Sequence, residues 1–133
     1  MNQPNLGTVL VVDDDAVVRE TLSRFLTAAG YTVRVVANGR EALDLLGASA
    51  LPDLLVLDLM MPEMTGLELI PTLHSNPEWA SLPIIVLTGT KGYTAARLQV
   101  DAILMKPFSA IDVQAAVFVA QVAKRARDAV PHA

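Results

Sequence analysis

The chain has 133 residues, 53% of them hydrophobic, with 10 basic and 14 acidic side chains and a formal net charge of −4. This is one domain's length, and so aliphatic a chain is not a disordered one; the acidic balance argues against a nucleic-acid footprint, which needs a basic patch. With no cysteine there is no disulfide framework or thiolate metal site, and no apolar run approaches a membrane span.

The first predicted element is a strand over Val9–Val12, and it runs straight into three carboxylates, Asp13, Asp14 and Asp15. The amphipathic stretch Ala16–Ala28 reads as a helix, with Asp15 as its cap and Gly30 as its stop. Its apolar stripe is expected at Val17, Thr21, Phe25 and Ala28. A second strand follows at Thr32–Val36 and a shorter helix at Gly39–Leu46. The third strand, Leu54–Leu57, ends at Asp58, and a helix over Leu67–Leu73 starts behind Thr65 as N-cap. The fourth strand, Ile84–Leu87, ends at Thr88. The segment after it, TGTKGYTAARLQVDAILMK, opens with two glycines, Gly89 and Gly92, which weaken a helix start; one or two turns are expected. The fifth strand, Ala102–Met105, ends at Lys106. A last helix over Ser109–Ala126 is expected to face the sheet with Ile111, Ala115, Phe118 and Val122. Val113, Val117 and Ala120 would then form an outer apolar strip, suited to a partner or a homodimer.

The strand runs are continuously apolar rather than alternating, as in strands buried on both faces. Five alternations of strand and helix imply a parallel sheet with helices on both sides. Ligands of such sheets sit beyond the carboxyl ends of the strands, and the residues there are Asp13, Asp14, Asp58, Thr88 and Lys106. Carboxylates sharing one rim repel and raise at least one pKa unless a cation sits among them. Hard oxygen donors suit Mg²⁺, a carboxylate can attack phosphorus, and a metal and an ammonium can neutralise the charge of phosphoryl transfer. Taken singly, the same residues have ordinary readings: caps, a turn aspartate, a solvated lysine, a β-branched strand residue. Met60, Met61 and Met64 read as packing, and His74 and His132 as surface residues.

The motifs VLVVDDD, LLVLDLMMPEMTGLEL around Asp58, PIIVLTG around Thr88 and MKPF around Lys106, with ANGREALDLL between the first two, resemble the receiver domain of two-component response regulators. The resemblance spans nearly the whole chain, with a receiver at 1–126 and a tail at 127–133. It implies a flavodoxin-like three-layer sandwich, its five parallel strands ordered 2-1-3-4-5, with the fourth helix shortened here. It implies that Asp58 accepts phosphate from a phosphohistidine, that Asp14 binds Mg²⁺ directly, that Asp13 assists through water, and that the Met60 carbonyl completes the metal shell. Thr88 and Lys106 would contact the phosphoryl oxygens, and the Lys106–Pro107 peptide would be cis. The partner would be a sensor histidine kinase or a histidine phosphotransfer protein, in the cytoplasm, with no direct contact to nucleic acid or membrane. The protein would not be an enzyme, catalysing only its own phosphorylation and dephosphorylation, either as a stand-alone receiver or as the first part of a longer regulator.

The pattern departs from the family at the output face. Receivers usually carry Tyr or Phe three residues before the lysine, and this chain has Ile103. Two rivals remain at this stage. A haloacid-dehalogenase-type phosphatase would use Asp13 as nucleophile, since Asp13–Val17 fits its D-x-D-x-[TV] motif, but it leaves Asp58 without a role. A receiver-like interaction module that takes no phosphate would need no intact site.

Overall fold

A computed structural model describes residues 5–129. The elements run β1 (Thr8–Val12), α1 (Ala16–Ala28), β2 (Thr32–Val36), α2 (Gly39–Ala48), β3 (Leu54–Asp58), α3 (Gly66–Ser75), β4 (Ile84–Thr88), α4 (Ala95–Leu98), β5 (Ala102–Met105) and α5 (Ala110–Ala129). All strand pairs are parallel, in the order β2-β1-β3-β4-β5. The expected fold class and strand order therefore hold. The tail expected at 127–133 falls partly outside the described residues; Arg127, Asp128 and Ala129 continue α5.

Two core layers explain the unbroken apolar strands. Val9, Val11, Val56, Ile85, Leu87 and Leu104 point to α1 and α5, and their neighbours Leu10, Val12, Leu55, Leu57, Ile84 and Val86 point to α2 and α3. Successive side chains leave opposite faces of a strand, so a sheet covered on both sides has no position for a polar residue. β2 lies at the edge and carries a charge, Arg34, in mid-strand.

Caps set the helix boundaries. Asp15, Asn38, Thr65 and Thr94 each accept a backbone N–H of the first turn. Thr65 and Glu68 form a reciprocal capping box, and Ser109 and Asp112 form another at α5. Gly30 closes α1 at φ 106°, a conformation that costs glycine little. α4 has four residues and stops at Gln99, which turns left-handed at φ 57°.

The structure corrects two helix faces. α1 turns Val18, Leu22, Phe25 and Leu26 inward, and Val17 is exposed. Capping by Asp15 fixes the phase of the first turn, and Leu22 with Leu26 bury more apolar area than Thr21 with Ala28. α5 is reversed: Val113, Ala116, Val117 and Ala120 are buried, while Ile111, Ala115, Phe118 and Val122 face out. Small residues let the helix approach a sheet already filled by Leu87 and Leu104, whereas the bulkier stripe would overpack that layer.

Gly66 has no room for a side chain. A Cβ there would lie 2.4 Å from the Asp58 carbonyl oxygen and 2.8 Å from the Leu59 Cα. α3 thus starts directly against the backbone that carries Asp58, tied by the Gly66 N–H to the Leu59 carbonyl at 3.0 Å. The clash is with backbone and cannot rotate away. Gly66→Ala is expected to lower the unfolding free energy by about 2 kcal/mol, within the range for overpacking. Urea denaturation monitored by circular dichroism measures it, and an unchanged midpoint would contradict the close approach.

Candidate functional site

Strand register assembles the site. Val12 pairs with Leu57, so the next residues, Asp13 and Asp58, meet across the β1–β3 seam. Thr88 pairs with Met105, and the Lys106 N–H donates to the Thr88 carbonyl at 2.9 Å, bringing the lysine to the same rim. Asp13, Asp58 and Thr88 are all buried, and Asp14 is exposed. The Lys106–Pro107 peptide is cis.

Asp13 is the most constrained of these groups. Its Oδ1 accepts the Asp15 N–H at 2.8 Å, and its carbonyl accepts the Arg19 guanidinium at 2.8 Å. Its Oδ2 is fully buried and lies 2.9 Å from Lys106 Nζ, an ion pair on which it depends. The Lys106 ammonium also stands 3.4 Å from Asp58 Oδ2, while Asp58 Oδ1 accepts the Met60 N–H at 3.3 Å. Thr88 Oγ1 accepts the Thr90 N–H at 3.0 Å.

Burial raises the Asp58 carboxyl from its ordinary 3.8 to about 6, and the Asp13 charge pushes the same way; Lys106 and the Met60 N–H only partly offset them. Burial pulls the Lys106 ammonium down, but Asp13 and then Asp58 outweigh it, so its pKa is raised and it stays a cation.

One carboxylate oxygen from each of Asp13, Asp14 and Asp58 lies within 4.8 Å of the others. All are hard donors, and the buried Asp13 Oδ2 shares its one ammonium with Asp58. The set fits a small divalent cation that keeps several waters. The Met60 side chain is exposed, which corrects the packing expectation for that residue; Met61 is buried and Met64 half-buried. His74, in the last turn of α3, is half-buried beside Leu67, Ile70 and Pro71, and His132 lies outside the described residues. Asp15 caps α1, its Oδ1 accepting the Val17 N–H at 2.8 Å. Ile103 is half-buried against the α2–α3 core layer, where Tyr93 also packs.

Sequence reasoning missed Arg19 and Gly66. Arg19 carries no signal, because a helix-surface arginine normally ends in water. Gly66 could have been found: a glycine directly after a threonine cap, where other residues favour the helix more, marks a close approach.

The charge balance of the site makes a stability prediction. Between about pH 4 and pH 6 folded Asp58 holds a proton that the unfolded chain has released, so stability falls as pH rises through this window. With chelator at neutral pH, Asp58→Asn is expected to be more stable than the parent by roughly 1–3 kcal/mol, the gain vanishing toward pH 4. Thermal melts across that range in EDTA measure the difference; equal stability at every pH would refute it.

A model of the family described as response regulator receiver domain matches residues 9–118. The response regulator MprA of Mycolicibacterium vanbaalenii is 47% identical over 105 residues, covering 76% of this chain and 44% of that protein. The chain thus spans less than half the length of the curated relatives it matches. A solved response regulator from Chloroflexus aurantiacus superposes with a TM-score of 0.78 at 33% identity, covering 90% of this chain and 99% of that one. The response regulator TrrA of Thermotoga maritima, solved with Mg²⁺ and BeF, superposes with a TM-score of 0.76 at 29% identity, over 86% and 99% of the two chains.

Proposed function

The chain belongs to the response regulator receiver domain family, and we propose that Asp58 accepts a phosphoryl group from a phosphohistidine, on a sensor kinase or a histidine phosphotransfer protein, with Mg²⁺ as cofactor. The observation that carries this reading is the meeting of three carboxylates and one ammonium at the strand ends, where one carboxylate is buried, raised in pKa and reachable from the rim.

In this reading Asp13, Asp14 and Asp58, with the Met60 carbonyl, hold the metal, whose charge neutralises the phosphoryl oxygens when bound. An Asp58 carboxylate oxygen attacks phosphorus, the P–N bond to the donor imidazole breaks, and that nitrogen keeps the bonding pair. Lys106 neutralises charge at a phosphoryl oxygen, and it can do so because it is already held between Asp13 and Asp58. The Thr88 hydroxyl donates to another phosphoryl oxygen. Arg19 is a positioning residue, fixing the Asp13 backbone through its carbonyl. The protein is a stoichiometric switch, acting on its own acyl phosphate rather than on a turning-over substrate. Its setting is the cytoplasm, as for the kinase it serves; among the described residues no helix is long and apolar enough to cross a membrane.

The phosphatase reading loses its second aspartate, since Asp15 is committed to capping α1. The phosphate-independent module reading gives no reason for a three-carboxylate cluster, partly buried, around a single ammonium. Output does not rely on the Tyr or Phe that receivers usually carry three residues before the lysine, because Ile103 occupies that position.

Acetyl phosphate with Mg²⁺ is expected to add one phosphoryl group at Asp58, read as a mass increase and located by borohydride trapping. EDTA or Asp58→Asn should abolish the label, and labelling at Asp13 would favour the phosphatase. The exposed Met60 side chain offers a water no hydrogen bond. The acyl phosphate is therefore expected to decay over minutes or longer when followed by ³²P release, and loss within seconds would contradict this.

A further inference from the structure

Of the methionines among the described residues, Met60 gives most of its side chain to water. It is 60% exposed, against 38% for Met105 and 5% for Met61, and Met64 is half-buried. Met60 is also tied to the carboxylate at the centre of the site, because its N–H donates to Asp58 Oδ1 at 3.3 Å. A thioether in water is open to oxidation, and oxidation turns a flexible apolar side chain into a polar one. At this position a change at sulfur is a change beside Asp58.

We propose that Met60 is a modification site for peroxide, and that its sulfoxide shortens the life of the acyl phosphate; this rests on Asp58 being the phosphoryl acceptor. In the oxidation the peroxide O–O bond breaks, one oxygen bonds to sulfur through a sulfur lone pair, and the other leaves as water. Sulfur loses two electrons and the peroxide gains them. Hydrolysis of the acyl phosphate then needs a water held beside phosphorus. The water oxygen forms the new P–O bond, the bond from phosphorus to Asp58 breaks, the carboxylate keeps the pair, and the water's second proton ends on the released phosphate. A well-held water needs at least two polar partners. Thr90 offers one hydroxyl, exposed at the end of the neighbouring strand, where its N–H donates to Thr88 Oγ1. The thioether of Met60 adds no partner, and a sulfoxide oxygen adds the second. Met61 lies buried in the core next to it, so peroxide reaches the rim without disturbing the packing below. Oxidised protein would therefore lose its phosphoryl group faster than reduced protein, and reduction of the sulfoxide would restore the slower loss.

The test treats the full chain with limiting hydrogen peroxide. Peptide mass spectrometry is expected to find the added oxygen at Met60 ahead of Met105, Met64 and Met61. Labelled acetyl phosphate with Mg²⁺ should then modify reduced and oxidised protein alike at Asp58. Once the donor is removed, ³²P release from the oxidised form should be about 3-fold to 10-fold faster, the worth of one hydrogen bond gained in the transition state. Methionine sulfoxide reductase should bring back the slow rate. Met60→Gln, which carries a carbonyl near the place of the sulfoxide oxygen, should release phosphate quickly without peroxide. Met60→Leu should give one rate before and after treatment. Asp58-labelled protein whose decay ignores oxidation of Met60, a peroxide effect that survives in Met60→Leu, or oxidation that begins at Met61 would each overturn the proposal and leave the phosphoryl-acceptor reading standing. Failure of both forms to label would overturn the two together.

Discussion

The repulsion between two buried carboxylates is the constraint around which this molecule is arranged. Parallel pairing of β1 and β3 leaves Asp13 and Asp58 no way to separate, because the residues before them are locked in register inside the core. Both are buried, and a single ammonium serves both. Such a site is held at high electrostatic energy by the surrounding packing, and cationic charge arriving at it releases part of that energy. The hydrophobic sheet thus does more than stabilise the fold: it keeps apart from solvent the groups that would otherwise be neutralised by it.

That function explains where the fold is rigid and where it is thin. On the Asp58 side, a capping box starts α3, a glycine brings the helix onto the loop backbone, and buried Leu59 and Met61 anchor the connection. On the Asp13 side, Arg19 and the Asp15 N–H hold the turn. Each of these groups acts on the position of a carboxylate without touching any ligand. The opposite arm, between β4 and β5, has one short helix, capped by Thr94, and packs on the core through Tyr93, Leu98 and Val100.

Strands, strand order and the rim residues were legible in the sequence because they rest on one strong signal, apolar runs that terminate in a charge or hydroxyl. Four of the five helix starts were legible to within a residue, α1 behind Asp15, α2 at Gly39, α3 behind Thr65 and α5 at Ser109, whereas for α4 only its shortness was, from Gly89 and Gly92. Helix faces were less legible. In α1 and α5 two apolar stripes compete, and periodicity cannot say which one the sheet accepts; that choice depends on the volume left by Leu87, Leu104 and their neighbours, a property of the assembled layer. The Arg19 contact depends on a turn conformation that no local pattern encodes. Met60 was misread because methionine usually fills space, whereas here its backbone matters and its side chain is left in water.

The brevity of α4 has a mechanical meaning. A helix of one turn contains too few internal hydrogen bonds to act as a lever, and the left-handed Gln99 uncouples it from β5. Displacements of the Thr88–Thr90 turn would be absorbed within a dozen residues instead of being carried as a rigid body to a distant surface. The long continuous elements that run from the carboxylate rim are instead the strands of the sheet and the twenty-residue α5 packed on it.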